Sequence, residues 1–174
     1  MIVANWLSWL RPGGKNSDPL HDKLLCCRVK YQGDCAYQSP KDAAKLIELF
    51  RERFQSITSL GIKAYIVTVT PQGTEYHPNQ MLDASGIIYE NMKPMIRSEF
   101  RRKHSDLITK LEKAIVDAGA KIIDFSINQC WKDRCEVLDP YGNPIMLDDH
   151  HLRPFYAREY LDAVDVVIES MLQK

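Results

Sequence analysis

The sequence predicts an α/β sandwich built around a mostly parallel sheet. Two observations carry that expectation. A helical run closed by glycine and followed at once by a β-branched strand occurs twice, over residues 40–70 and 105–127. Helix, short turn and strand form the αβ half of a parallel crossover. The chain has 174 residues, 45% apolar and 26% charged, which suits one soluble domain of ordinary size with a real core. A single domain over residues 1–174 is therefore expected.

Taken in order, Met1 opens directly into Ile2-Val3-Ala4, ahead of Asn5-Trp6-Leu7-Ser8-Trp9-Leu10. Natural N-termini are more often polar and frayed. This one starts as a buried strand would, so the chain reads as a fragment, incomplete at its N-terminus. Residues 11–19, rich in Gly, Pro, Asn and Ser, read as an exposed loop. Residues 24–31 read as a short strand or an irregular return.

Ser39-Pro40-Lys41-Asp42 is a helix start, with serine as cap, proline in the first turn and an acid at the positive end of the dipole. Ala43, Leu46, Ile47, Phe50, Phe54 and Ile57 recur at helical spacing until Gly61. Residues 63–70, β-branched and aromatic, predict a buried strand that stops at Pro71. Residues 72–79 leave the carboxyl end of that strand as a loop, the usual wall of a ligand cleft. Residues 84–102 are helical in character, interrupted by Pro94.

A second capped helix begins at Ser105, buries Leu107, Ile108, Leu111, Ala114, Ile115 and Ala118, and ends at Gly119. A strand over residues 121–127 follows. After Cys130 and Cys135, residues 136–147 predict a small hairpin turning at Asp139-Pro140-Tyr141-Gly142-Asn143. Pro154 starts a final helix with Tyr160, Leu161, Val164, Val167, Ile168 and Leu172 on its apolar side, expected to be docked.

Composition narrows the function. Lys plus Arg equals Asp plus Glu at 23 each, so no global field draws in nucleic acid or a membrane surface. The one basic run, Arg97, Arg101, Arg102 and Lys103, falls on what reads as a solvated helix face, and no nucleic-acid partner is expected. No apolar run reaches the roughly 20 residues that cross a bilayer, and the first residues do not read as a signal peptide. Alone, the chain looks cytoplasmic. Of its five cysteines, only Cys130 and Cys135 bracket a short loop in a disulfide-compatible way. Zinc-finger or ribbon spacing is absent.

The stretch Leu147-Asp148-Asp149-His150-His151-Leu152 sets two carboxylates ahead of two of the five histidines. Asp148 and His151, at Asp-x-x-His spacing, allow a single turn to bring a carboxylate against one imidazole nitrogen. The other nitrogen is then left to take a proton from a nucleophile. A solvated polar turn leading into the next helix is the competing reading. His150 reads as a solvated neighbour, and His21, His77 and His104 lie in polar contexts without a partner at useful spacing.

The order Cys130, short loop, Cys135, the hairpin through Gly142-Asn143-Pro144, then Asp148-Asp149-His150-His151-Leu152 and Ala157-Arg158 resembles the C-terminal end of SGNH hydrolase domains. In particular it resembles those fused to integral-membrane O-acyltransferases of acyltransferase family 3. Upstream, residues 2–6 resemble that family's central strand. The resemblance implies a three-layer α/β/α sandwich, SGNH- or flavodoxin-like, handling acyl esters of cell-envelope glycans on the periplasmic side. It implies Asp148 as orienting acid, His151 as general base and Asn5 as an oxyanion-holding asparagine, with no metal or diffusible cofactor. An acylated carbohydrate is the implied substrate, and a fused or neighbouring membrane acyltransferase domain the implied partner.

Three departures stand out. After His-Leu the family has Ser and Gly where this chain has Arg153 and Tyr156, and Ala4-Asn5-Trp6 lacks the family's glycine. No Gly-Asp-Ser, the family's nucleophile block, occurs in the chain, and truncation is the simplest account. Gly33-Asp34-Cys35 imitates that block with cysteine. It follows the Asn5 strand, where the family's nucleophile precedes it, so a loop cysteine or one bonded to Cys26 or Cys27 competes with a nucleophilic Cys35. The expected function is an SGNH-type esterase or O-acyltransferase domain. The alternatives are a non-catalytic glycan-binding or interaction module and a Cys35-dependent hydrolase. A cytoplasmic location is expected if the chain is complete.

Overall fold

A computed structural model describes residues 1, 5–10, 39–73, 76–82 and 94–172. The expected strand at residues 2–4, the loop at 11–19, the segment 24–31 and most of the helical run from 84 lie outside the described residues. So do Cys26, Cys27, Cys35 and His21. The chain divides into two compact units, residues 1–69 with 105–122, and residues 70–104 with 123–174.

The first unit holds α1 (Trp6–Leu10), α2 (Pro40–Thr58) and β1 (Tyr65–Val67). It also holds α4 (Ser105–Asp117) and the start of β3 (Lys121–Ile123). Local chemistry sets α2: the Ser39 side chain accepts from the Asp42 amide, and Asp42 accepts from the Ser39 amide, a full capping box with Pro40 behind it. Its inner face buries Ala43, Ile47 and Phe54, and α4 buries Ile108, Leu111, Ala114 and Ile115. These two stripes at helical period account for the packing of α2 on α4.

Trp6 links the short first helix to this core. Its indole N–H donates to the Val67 carbonyl at 2.6 Å, and its ring meets Phe50 edge-on at 5.3 Å. Gly119, at φ +73°, turns α4 into β3, where the Lys121 amide donates to Ala64 at 2.9 Å. β1 and β3 form a two-stranded parallel pairing. Ladder bonding in β1 is shorter than the predicted 63–70, although burial continues through Val69.

The second unit contains β2 (Met95–Ile96), α3 (Arg97–Lys103), α5 (Ser126–Gln129) and β4 (Cys130–Trp131). It continues through β5 (Arg134–Cys135), α6 (Pro154–Tyr160) and α7 (Asp165–Leu172). Cys130 and Cys135 are disulfide-bonded across the β4–β5 hairpin, and β2 adds antiparallel to β5 to make a three-stranded sheet.

Four expectations change here. Residues 95–96 are strand, because Pro94 cannot continue a helical ladder and Met95 and Ile96 find partners in Cys135 and Arg134. The strand from 121 ends at Ile123. Asp124 then accepts from the Ser126 amide at 2.9 Å and starts α5. The final helix breaks after Tyr160, where Asn128 accepts from the Ala163 amide and donates to Asp162. Beyond the break, α7 has no buried residue, and Val166, Ile168, Met171 and Leu172 are exposed rather than docked. Finally, the basic run is not wholly solvated, since Arg97 pairs with Asp124 at 2.6 Å and Arg101 lies 3.9 Å from the same carboxylate.

Candidate functional site

The Asp/His loop sits on a hairpin whose turn is fixed by one carboxylate. Asp139 Oδ1 accepts from the amides of Tyr141 at 2.9 Å and Asn143 at 2.7 Å, and Gly142 takes φ +83°. Burial pushes the Asp139 carboxyl up, but hydrogen bonds from Asn143, Tyr141 and Gly142 more than offset it and hold it below the usual range. The hairpin closes through Ile145 N to Val137 O at 3.1 Å, and buries Ile145 and Met146 beneath the loop that follows.

That loop is pinned at three points. Leu147 N donates to His151 O at 2.7 Å, and Met146 bridges Leu152. The Gly73 amide, from the loop predicted to wall a cleft, donates to Asp149 O at 2.9 Å. Of the departures from the family pattern, Arg153 serves this frame. Arg153 donates its amide to Ile145 O at 2.8 Å and Nε to Met146 O at 3.2 Å. Tyr156 is 1% exposed and stacks on Tyr160 at 5.2 Å. Burial, then the charges of Glu136 and Tyr160, push the Tyr156 hydroxyl up to about 12, so it stays neutral.

Within the loop, Asp148 uses both oxygens. Oδ1 accepts from the amides of His150 at 2.9 Å and His151 at 2.7 Å, and Oδ2 lies 2.7 Å from His151 Nδ1. Burial pushes this carboxyl up, but the His151 ring, the two amides and the nearby His150 hold its pKa at about 2. An ionised carboxylate can only accept. His151 Nδ1 therefore carries the proton, and Nε2 presents a lone pair. The His151 side chain is 61% exposed against 31% for Asp148, so the carboxylate is the more buried of the two and the imidazole the more exposed.

A second pair was not foreseen. His150 Nδ1 lies 2.5 Å from Asp149 Oδ1 and 3.5 Å from Asp148 Oδ1, and its side chain is 28% exposed, less than that of His151. Its ring lies 4.0 Å from that of His151, tilted by 46°. His150 is thus a partnered, half-buried group and not the solvated neighbour its flanks suggest. The spacing predicts the Asp148–His151 pairing, and only the loop's closure adds that of Asp149 with His150.

The other candidates among the described residues have partners of their own. Asn5 belongs to the first unit, where it is half-buried and its carbonyl accepts from Trp9 N at 3.1 Å to begin α1. His77 caps the turn at residues 78–80 by accepting from Asn79 N at 3.1 Å, and His104 packs its ring on Phe100 at 4.9 Å. Both histidines have local structural partners. Cys35 lies outside the described residues.

Comparison with known proteins gave one family. The model described as the SGNH domain fused to AT3 domains matches residues 1–165. No curated protein and no solved structure matched the chain.

Proposed function

The chain belongs to the family of SGNH domains fused to AT3 domains, and on that premise we propose that Asp148 and His151 are the acid and base of a serine esterase or O-acyltransferase site. Family membership supports hydrolase or acyltransferase chemistry and an α/β fold. The finer reading is a single three-layer α/β/α domain acting on acyl, in particular acetyl, esters of cell-envelope glycans. The observation that carries it is the 2.7 Å contact from Asp148 Oδ2 to His151 Nδ1, made by a carboxylate already anchored on two backbone amides.

In this mechanism a serine hydroxyl attacks the acyl carbonyl while His151 Nε2 takes its proton. Asp148 holds the ring in the Nδ1–H tautomer and stabilises the imidazolium. Backbone amides, with Asn5 as the asparagine carried over by family resemblance, hold the developing oxyanion. Collapse of the tetrahedral intermediate passes the proton from His151 to the departing alkoxide and leaves an acyl-serine. Water or a glycan hydroxyl then attacks that ester, with His151 again the base. Asp148 remains ionised down to about 2, so it does not supply the acid limb of the pH–rate profile.

The serine is the part this chain does not display, since Gly-Asp-Ser is absent from its sequence. We place the nucleophile on sequence outside these 174 residues. The Cys130–Cys135 disulfide and the family's fusion to AT3 domains support placement on the periplasmic side of the envelope, beside a membrane acyltransferase domain. Among the described residues, no helix is long and apolar enough to cross a membrane.

The same absence supports a second reading, a glycan-binding module without turnover, and a third in which Cys35 is the nucleophile. Hydrolysis of p-nitrophenyl acetate separates them. Turnover in the full-length gene product, with little in these 174 residues alone, supports the serine reading. Glycan binding with no turnover in either supports the module. Robust turnover by the chain alone that vanishes in Cys35→Ala supports the thiol.

A further inference from the structure

The Asp/His loop gathers more ligating groups than a catalytic pair uses. Two imidazoles and a carboxylate, from His150, His151 and Asp148, bring ligand-capable atoms within 4.8 Å of one another. The set is prepositioned by the chain: Asp148 is held by two backbone amides, and the two rings are held 4.0 Å apart. We propose that this loop is a binding site for a divalent zinc-type ion, and that the ion acts as a brake on the base.

Donor chemistry and spacing both point to that class of ion. Two nitrogens and one carboxylate oxygen suit zinc, whereas magnesium and calcium prefer all-oxygen sets. In a tetrahedral site with arms near 2.0–2.1 Å, neighbouring ligand atoms lie about 3.3–3.4 Å apart. His150 Nδ1 lies 3.5 Å from Asp148 Oδ1 and His151 Nδ1 lies 2.7 Å from Asp148 Oδ2, so the two rings flank opposite oxygens of one carboxylate, and one oxygen reaches an ion shared with both rings after a small shift of the loop. Three protein ligands leave the fourth position to water. Asp149, now bonded to His150 Nδ1 at 2.5 Å, stands beside the site as a further oxygen.

The brake follows from the tautomer and rests on the reading of His151 as the base. An ion on His151 Nδ1 displaces the proton that now points to Asp148, and that proton moves to Nε2. No atom is lost or gained, but Nε2 then donates and cannot accept a proton from a nucleophile. Metal occupancy and catalysis exclude each other at one ring. His150, which the triad does not use, has its function here as the second nitrogen ligand.

The test is zinc titration against a chromophoric chelator. It uses unreduced protein whose free thiols have been alkylated, so that Cys26, Cys27 and Cys35 cannot compete. One ion per chain is expected, with affinity weakened about tenfold or more in both His150→Gln and His151→Gln. Equal affinity in wild type and either variant, or no zinc binding in competition with the chelator, overturns the inference. In the full-length gene product, zinc should suppress ester hydrolysis in wild type, chelation should restore it, and the ratio of rates with and without zinc should approach one in His150→Gln. Turnover that zinc leaves unchanged defeats the brake and leaves the proposed function standing. Zinc binding in a gene product without turnover defeats the proposed function and leaves the metal site standing.

Discussion

An aspartate that spends one oxygen on two backbone amides and the other on an imidazole leaves that imidazole little freedom of tautomer. Asp148→Asn keeps an oxygen for the amides of His150 and His151 but turns an NH₂ toward His151 Nδ1. The ring then accepts at Nδ1 and carries its proton on Nε2, the wrong atom for a base. We expect kcat/KM for ester hydrolysis in the full-length gene product to fall about 10³–10⁴-fold with KM nearly unchanged. Asp139, by contrast, is a structural carboxylate, and its effect is on stability. Its pKa is lowered in the folded chain, so its contribution is complete above the ordinary aspartate range and is lost as pH falls through the folded value. Hydrogen exchange at the Tyr141 and Asn143 amides should therefore accelerate as pH drops below about 4, beyond the intrinsic pH trend of unfolded amides. In Asp139→Asn that extra acceleration should disappear.

Elements whose cause is local were legible in sequence, and those that wait for a distant partner were not. α2 announces itself through Ser39, Pro40 and Asp42, and Ser39→Ala should cost about 1 kcal/mol in urea unfolding, with the slope unchanged. α4 is equally plain, from the period of Ile108, Leu111 and Ile115 to the glycine at its end. The two-residue β2 is strand only because Met95 and Ile96 meet Cys135 and Arg134, some forty positions away. The break after Tyr160 depends on Asn128, which no periodicity in residues 154–172 reveals. The β4–β5 hairpin lies between these cases, since its cysteines show in sequence and its third strand does not. Its disulfide closes a short loop with a sequence separation of 5, for which chain entropy gives about 2 kcal/mol. Reduction should lower thermal stability by that order and first expose the amides of β4 and β5 to exchange. A reduced protein with unchanged exchange there would contradict this assignment.

At the scale of the whole molecule, one half of the proposed chemistry was readable early because it is contiguous. Asp148 and His151 share a loop, and a spacing of three residues is enough to predict their contact. The pairing of Asp149 with His150, the anchoring of Asp149 by Gly73 and the supporting role of Arg153 depend on chain closure. Asn5 and the Asp/His loop fall in separate compact units, so their partnership rests on the family resemblance alone. The sequence carries Asp148 and His151 but no Gly-Asp-Ser block, and its family is one whose SGNH domain occurs fused to AT3 domains. The central claim is that His151 is the base. Its most direct test is p-nitrophenyl acetate hydrolysis by the full-length gene product and its His151→Ala variant, at matched folding by circular dichroism. The account predicts a fall in turnover of about 10³-fold or more, and a variant that retains the wild-type rate would contradict it.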